Sequence, residues 1–261
     1  MNQVTKIEFS GVVFGRVTQR VRLWSQIAVL AGLSCTFHSA LATEDTGTPG
    51  AGRWEINLDV NGSRSSEGWQ FNAPSTDFNY GWGDNVQLMA GLPWVIVHPN
   101  GQDSRSGLGA GTLGVKWRFV EQEKAGFSMS TFPQFTWNVL QSSVRRGIVA
   151  PGKQWRLPLQ AGIELGEAAL YAEAGRNFIE GGPHESDAGI KLTYPCLSKV
   201  ECRLELQRSL TAEERQTLLS VGVKWKLSES LIVKALAGRD IGASSAAQRN
   251  LVFSFGLQFL R

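Results

Sequence analysis

Three features of the sequence predict an all-β fold, a 12-stranded antiparallel transmembrane barrel preceded by a cleaved signal peptide. Hydropathy alternates with a period of two from Trp54 to the C-terminus, which puts apolar side chains on one face of extended strands and not along a helical stripe. Clusters containing Gly and Pro interrupt the alternation at short intervals, as hairpin connections require. Tryptophans gather near the ends of the segments, where a ring can lie against hydrocarbon while its N–H stays wet.

The first 42 residues read as the signal. An apolar block from Leu23 to Cys35 follows Arg16, Arg20 and Arg22 and precedes Ala40-Leu41-Ala42, a small-x-small site cut after Ala42. The block is short for a spanning helix, which needs about 20 apolar residues. A lipoprotein reading through Cys35 fits less well, because Gly32 stands where leucine is preferred. The division is therefore 1–42 signal peptide and 43–261 barrel. Removing Lys6, Arg16, Arg20, Arg22 and Glu8 from the 26 basic and 23 acidic residues leaves 22 of each. The basic excess thus belongs to the signal, and no nucleic-acid partner is implied.

Twelve strand segments follow, at about 52–61, 68–80, 84–97, 107–120, 126–138, 154–166, 168–178, 187–195, 200–209, 215–227, 230–239 and 249–261. The first sets Trp54, Ile56, Leu58 and Val60 against Glu55, Asn57 and Asp59, and the last sets Leu251, Phe253, Phe255, Leu257 and Phe259 against Asn250, Val252, Ser254, Gly256 and Gln258. Their spacing, about 18 residues per strand and connection, suits membrane strands of about 9–11 residues. Every second connection is short: Gly81–Gly83, Glu121–Ala125, Glu167, Cys196–Lys199 and Ser228–Glu229. The others include Val139–Lys153, Ile179–Ser186 and Asp240–Gln248, as in a barrel with tight periplasmic turns and longer outer loops. A soluble sandwich would turn the apolar face inward. The exported destination, the strand number and the tryptophans at Trp54, Trp69, Trp94, Trp117, Trp137, Trp155 and Trp225 favour the membrane barrel of the bacterial outer membrane.

The end of the chain, Ser254 to Arg261, resembles the terminal signal read by the barrel assembly machinery, except that Arg261 stands where an apolar residue is expected and Phe259 takes the anchor's place. Two further segments carry a family likeness. Tyr80-Gly81-Trp82-Gly83-Asp84-Asn85-Val86-Gln87-Leu88 is similar to a Y-G-(apolar)-x-D-x-(apolar)-E-(apolar) hairpin, with Gln87 in place of Glu. Gly107 to Phe119 is similar to a G-x-G-D-x-x-L-G-x-K-(aromatic) strand, with Ala110 in place of Asp. Both patterns are those of the outer-membrane β-barrel family named for the meta pathway of phenol degradation. The resemblance implies a barrel of about this size and an uptake role for small hydrophobic or aromatic molecules. Read from their own chemistry, Gly109, Gly111 and Gly114 let strands and side chains approach closely, and Asp84-Asn85 supplies turn chemistry.

The polar face lines the lumen and holds the candidate functional residues: acidic Glu55, Asp59, Glu164, Glu173, Glu201 and Glu205, and basic Lys116, Arg118, Arg156, Lys191, Arg203, Lys224, Lys226 and Lys234. They serve either as a salt-bridged filling or as a charge-lined passage; if Thr211–Glu214 closes a simple hairpin, Glu201 faces Lys224. Cys196 and Cys202 flank a predicted turn and can form a disulfide, since an exported protein meets an oxidising compartment. Two thiols without nearby His make no metal site, and the Gly-rich runs lie on strands, so no cofactor is implied. His184 and Ser186, two apart on a strand edge, resemble the H-x-S-N element of outer-membrane lipid A deacylases and phospholipases A, with Asp187 in place of Asn. The leading expectation is a porin-like channel or transporter rather than an enzyme. Its expected partners are a small-molecule substrate, outer-membrane lipids and lipopolysaccharide. A lipid hydrolase using His184 and Ser186 and a structural or adhesive barrel are the alternatives.

Overall fold

A computed structural model of the chain describes residues 43–212, 214–242 and 248–261, so the predicted signal over 1–42 lies outside the described residues. Among the described residues the strands are β1 (Trp54–Ser65), β2 (Gly68–Gly81), β3 (Val86–Pro99), β4 (Arg105–Leu108), β5 (Ala110–Val120), β6 (Ser128–Thr131), β7 (Gln134–Asn138), β8 (Gln154–Leu165), β9 (Ala168–Ile179), β10 (Glu185–Leu197), β11 (Val200–Leu210), β12 (Arg215–Lys226), β13 (Leu231–Asp240) and β14 (Leu251–Leu260). β4 and β5 are halves of one crossing, both paired to β3, and β6 and β7 are halves of another, both paired to β8. Fourteen strands thus make twelve antiparallel crossings. Pairing of β1 with β14, from Glu55 opposite Leu260 to Arg64 opposite Leu251, closes the barrel.

The two splits were not anticipated, although their residues are visible. Pro133 has no N–H to give the ladder, and Phe132 before it turns into the lumen, where it fills the space left by Gly114. Gly109 interrupts the other crossing and donates its N–H to the Pro93 carbonyl at 2.8 Å. On β2 the ladder skips Ala73 and Pro74 between Asn72 and Ser75. Adjacent crossings therefore carry irregularities at Pro74, Pro93, Gly109 and Pro133, while β8 to β14 form a more regular wall.

The faces of the strands decide between barrel and sandwich. Leu58, Val60, Phe78, Leu113, Val115, Leu157, Ile190, Leu206, Val221 and Phe255 are exposed on the outside, whereas Asn57, Gln87, Lys116, Gln134, Arg156, Gln160, Glu173, Lys191 and Glu205 are buried inside. Apolar outside and polar inside is the pattern of a membrane barrel. Trp54, Trp82, Trp117 and Trp225 stand at the end where β1 begins and β14 ends, called here the turn end. Trp69, Trp94, Trp137 and Trp155 stand toward the opposite, loop end. The turn-end connections are short. At the loop end 139–153 is longest, and it packs back through Ser143 Oγ donating to the Leu108 carbonyl and Arg146 donating to the Ser106 carbonyl. Two loop-end connections, 66–67 and 211–214, are as short as turns.

Cys196 and Cys202 are joined across the β10–β11 hairpin with Cα atoms 5.7 Å apart. The bridge closes a loop already closed by strand pairing, with six residues of sequence separation. Replacing both cysteines by serine should therefore lower the unfolding free energy by at most about 2 kcal/mol. Urea titration of the folded barrel checks this, and unitary conductance should not change.

Candidate functional site: the occupied lumen

Residues 43–53, which lead into β1, enter the lumen from the turn end and reach its middle at Thr43. Thr43, 1% exposed, donates its main-chain N–H to Glu205 Oε2 at 3.2 Å, and its carbonyl accepts from Lys191 Nζ at 2.7 Å. Lys116 Nζ donates to Glu44 Oε2 at 3.1 Å and to the Asp45 carbonyl at 3.0 Å. Nearer the turn end, the Thr46 and Ser128 hydroxyls share a 2.6 Å hydrogen bond, Thr48 Oγ1 donates to the Asp84 carbonyl, and the Ala51 N–H donates to Asp84 Oδ1. Burial by itself raises the carboxyl groups of Glu44 and Asp45, but Lys116 beside Glu44, and Lys191 with Lys116 beside Asp45, outweigh it, and both stay ionised below the usual carboxylate range.

Two glycines make room for this segment. A Cβ on Gly189 would lie 2.4 Å from Thr43 Oγ1, and one on Gly81 would lie 1.8 Å from the Gly50 carbonyl oxygen. Gly81 belongs to the Tyr80–Leu88 segment singled out in the sequence, so its physical role is to let the N-terminal segment cross the barrel rim.

Around the segment the lumen wall is cross-linked by charge-assisted bonds. Arg156 Nη2 donates to Glu173 Oε1 at 2.5 Å and to Asp187 Oδ2 at 2.6 Å, while Gln160 bridges Glu173 Oε2 and Ser130 Oγ. This ties β6, β8, β9 and β10 together. On the opposite side, Lys234 Nζ donates to Asn57 Oδ1 and pairs with Asp59 at 3.4 Å, and Asn57 and Asn79 donate to Asp77. The loop-end half of the lumen is mixed: Val95, Val97, Leu218, Leu236 and Val252 are buried there beside Asn72, Thr136, Gln154, Asn177 and Asp240, and Ile148 of the long loop is buried next to Gly107.

Of the residues expected to line the lumen, Lys116, Arg156, Glu173, Lys191 and Glu205 are buried inside it. Asp59 and Lys234 are paired, Arg203 Nε lies 3.6 Å from Glu205 Oε1, and Glu201 stands opposite Lys224 in the β11–β12 register, as the hairpin argument expects. Glu55 accepts from Asn57 near the turn end. Arg118, Glu164 and Lys226 are rim residues: Arg118 bonds Asn85 and the Asp84 carbonyl, Lys226 pairs with Glu229 of the turn, and Glu164 is exposed at the end of β8.

His184 and Ser186 are not brought together as base and nucleophile. Ser186, which lies within β10 and not in a loop, accepts a hydrogen bond from Arg176 Nη1 at 2.6 Å on the outer face. His184 Nδ1 accepts from the Ile179 N–H, and its ring stands edge-on to Phe178. A base has to reach the hydroxyl whose proton it takes. Asp187, seen in the sequence only as a departure from a motif, is instead a lumen carboxylate; its parity with Gly189 and Lys191 was the signal that could have found it. Among the described residues no group of three His, Cys, Asp or Glu is placed to hold a metal ion.

The sequence matches no protein-family model and no curated protein. The fold is similar to that of an outer membrane channel from Pseudomonas putida F1, at 14% identity and a TM-score of 0.65, covering 84% of this chain and 99% of that one. It is also similar to the NanC porin, at 5% identity and a TM-score of 0.55, and to the KdgM porin, at 11% and 0.53, each covering 78% of this chain and 98% of the other. With the apolar outer face and the two tryptophan girdles, these likenesses establish the chain as a 12-stranded β-barrel of the bacterial outer membrane, with the fold of channels and porins.

Proposed function

We propose that the barrel takes up small hydrophobic or aromatic molecules across the outer membrane, the role implied by the likeness of Tyr80–Leu88 and Gly107–Phe119 to the meta-pathway barrels. The observation that carries this reading is a group of apolar side chains inside the loop-end half of the lumen. The turn-end half is filled by residues 43–48 and their ion pairs, whereas Val95, Val97, Leu218, Leu236 and Val252 are buried among polar residues toward the loop end. Hydrated solutes gain nothing from those apolar side chains, whereas an aromatic solute gains about 25 cal/mol for each Å² of apolar surface it removes from water. The KdgM porin is known in complex with an oligogalacturonate. In this chain the lumen bases are matched by Glu44, Glu173, Asp187 and Glu205, so a polyanion is not favoured.

The test is uptake of a fluorescent naphthylamine, which the lipopolysaccharide leaflet excludes, by cells that carry the protein. Uptake several-fold faster than in cells lacking it is expected. Leu218→Asp or Val95→Asp should bring it back to the background while the barrel still migrates as a folded species. Equal uptake with and without the protein rejects the proposal.

A further inference from the structure

The environment of Thr43 is built to receive more than a main-chain amide. Glu205 is 1% exposed on β11, and one of its oxygens, Oε2, faces the Thr43 nitrogen at 3.2 Å. Its other oxygen, Oε1, has no hydrogen-bond partner among the described residues, with Arg203 Nε at 3.6 Å. Thr43 is held from both sides, because its carbonyl accepts from Lys191 Nζ at 2.7 Å, and that lysine is itself packed over the Tyr171 ring. Gly189 leaves the space that the Thr43 side chain fills. Neighbouring charges already have partners: Lys116 takes Glu44, and Glu201 stands opposite Lys224. Arg203 gives this carboxylate an ion pair but no hydrogen bond at Oε1, so room remains for a stronger donor, and a neutral amide supplies only one weak one.

The sequence places a processing site at this nitrogen. Ala40-Leu41-Ala42 ends immediately before Thr43. Hydrolysis of the Ala42–Thr43 amide by a peptidase consumes one water, leaves a carboxylate on Ala42 and frees an amine on Thr43. Free α-amines have a pKa of about 7.7–8.0, and a carboxylate at hydrogen-bond distance favours the protonated form.

We infer that the chain is cleaved between Ala42 and Thr43 and that the α-ammonium group so released seats on Glu205, which makes residues 43–48 a latch that processing fastens in the lumen. The seat is a binding site for a new N-terminus, formed by Glu205, Lys191 and Gly189. The inference rests on the occupied lumen and not on the solute proposed above. In an uncleaved chain the Thr43 nitrogen carries one hydrogen and no charge, so the same position gives Glu205 neither the ion pair nor the additional donors.

Two measurements test it, and neither involves transport of a solute. N-terminal sequencing and intact mass of the protein purified from outer membranes should give a chain beginning at Thr43; a chain beginning elsewhere overturns the inference. Labelling of the folded, processed protein with an α-amine-selective pyridinecarboxaldehyde should be slow and become several-fold faster in Glu205→Gln. Equal rates in the two proteins overturn the seat. Should Glu205→Gln fail to fold, insertion of Gly-Ser between Thr43 and a retained Ala42 cleavage site keeps every wall residue while moving the ammonium off the carboxylate. That chain should label several-fold faster and conduct more than the unmodified one, and unchanged labelling and conductance overturn the latch.

Discussion

A chain from which residues 43–49 have been deleted should show unitary conductance several-fold above that of the full barrel. Those residues occupy the turn-end half of the lumen, and Thr43, Thr46, Glu44 and Asp45 reach Glu205, Ser128, Lys116 and Lys191 on two pairs of neighbouring strands, β10–β11 and β5–β6. Their removal opens cross-section in a wall that stays continuous, because closure depends on the pairing of β1 with β14 and not on the segment. Planar-bilayer recording of both proteins makes the comparison. Lys116→Gln should give a smaller increase with frequent closures, since it removes the charge that holds Glu44 while Lys191 and Glu205 still hold Thr43. Indistinguishable conductance of the deletion and the full chain would show that residues 43–49 do not obstruct the path of ions.

Arg156→Gln should be the most destabilising single change in the wall, at about 3 kcal/mol or more. The guanidinium sits between Glu173 and Asp187 on two further strands, and its loss leaves two buried carboxylates facing one another without a cation. Urea unfolding of the barrel in lipid vesicles, followed by tryptophan fluorescence, measures the change. Restoring neutrality in the triple variant Arg156→Gln, Glu173→Gln, Asp187→Asn should recover most of the loss, because what costs free energy is an uncompensated buried charge and not the absence of a salt bridge. If the triple variant is no more stable than Arg156→Gln, the electrostatic explanation fails and the packing of the arginine stem is responsible.

The lining of the lumen was only half legible. Parity along each strand identifies Lys116, Arg156, Glu173, Lys191 and Glu205 as inward, because successive side chains of a strand must alternate. It identifies the hairpin partner of Glu201 for the same reason. It does not reveal that Arg156 reaches Asp187, two crossings away, since that contact depends on strand stagger and side-chain length. Counting charges alone also passed over Asn57, Asn79, Gln87 and Gln160, whose amides connect the ionised groups into networks.

The sequence by itself determined the twelve crossings, the end of the barrel at which each connection lies, the outward face and the common face of Lys116, Arg156, Glu173, Lys191 and Glu205, because each follows from a local period or a local turn. It also placed Cys196 and Cys202 at one hairpin, where their bridging is a matter of neighbouring strands. Tertiary structure alone decided that residues 43–48 fold back into the lumen and that Thr43 meets Glu205, 162 residues further along the chain. It also separated His184 from Ser186 by giving each another partner. No local pattern encodes such contacts. They arise when closure of the sheet encloses a polar cavity whose buried charges must be satisfied, and the segment next to β1 lies where it can satisfy them.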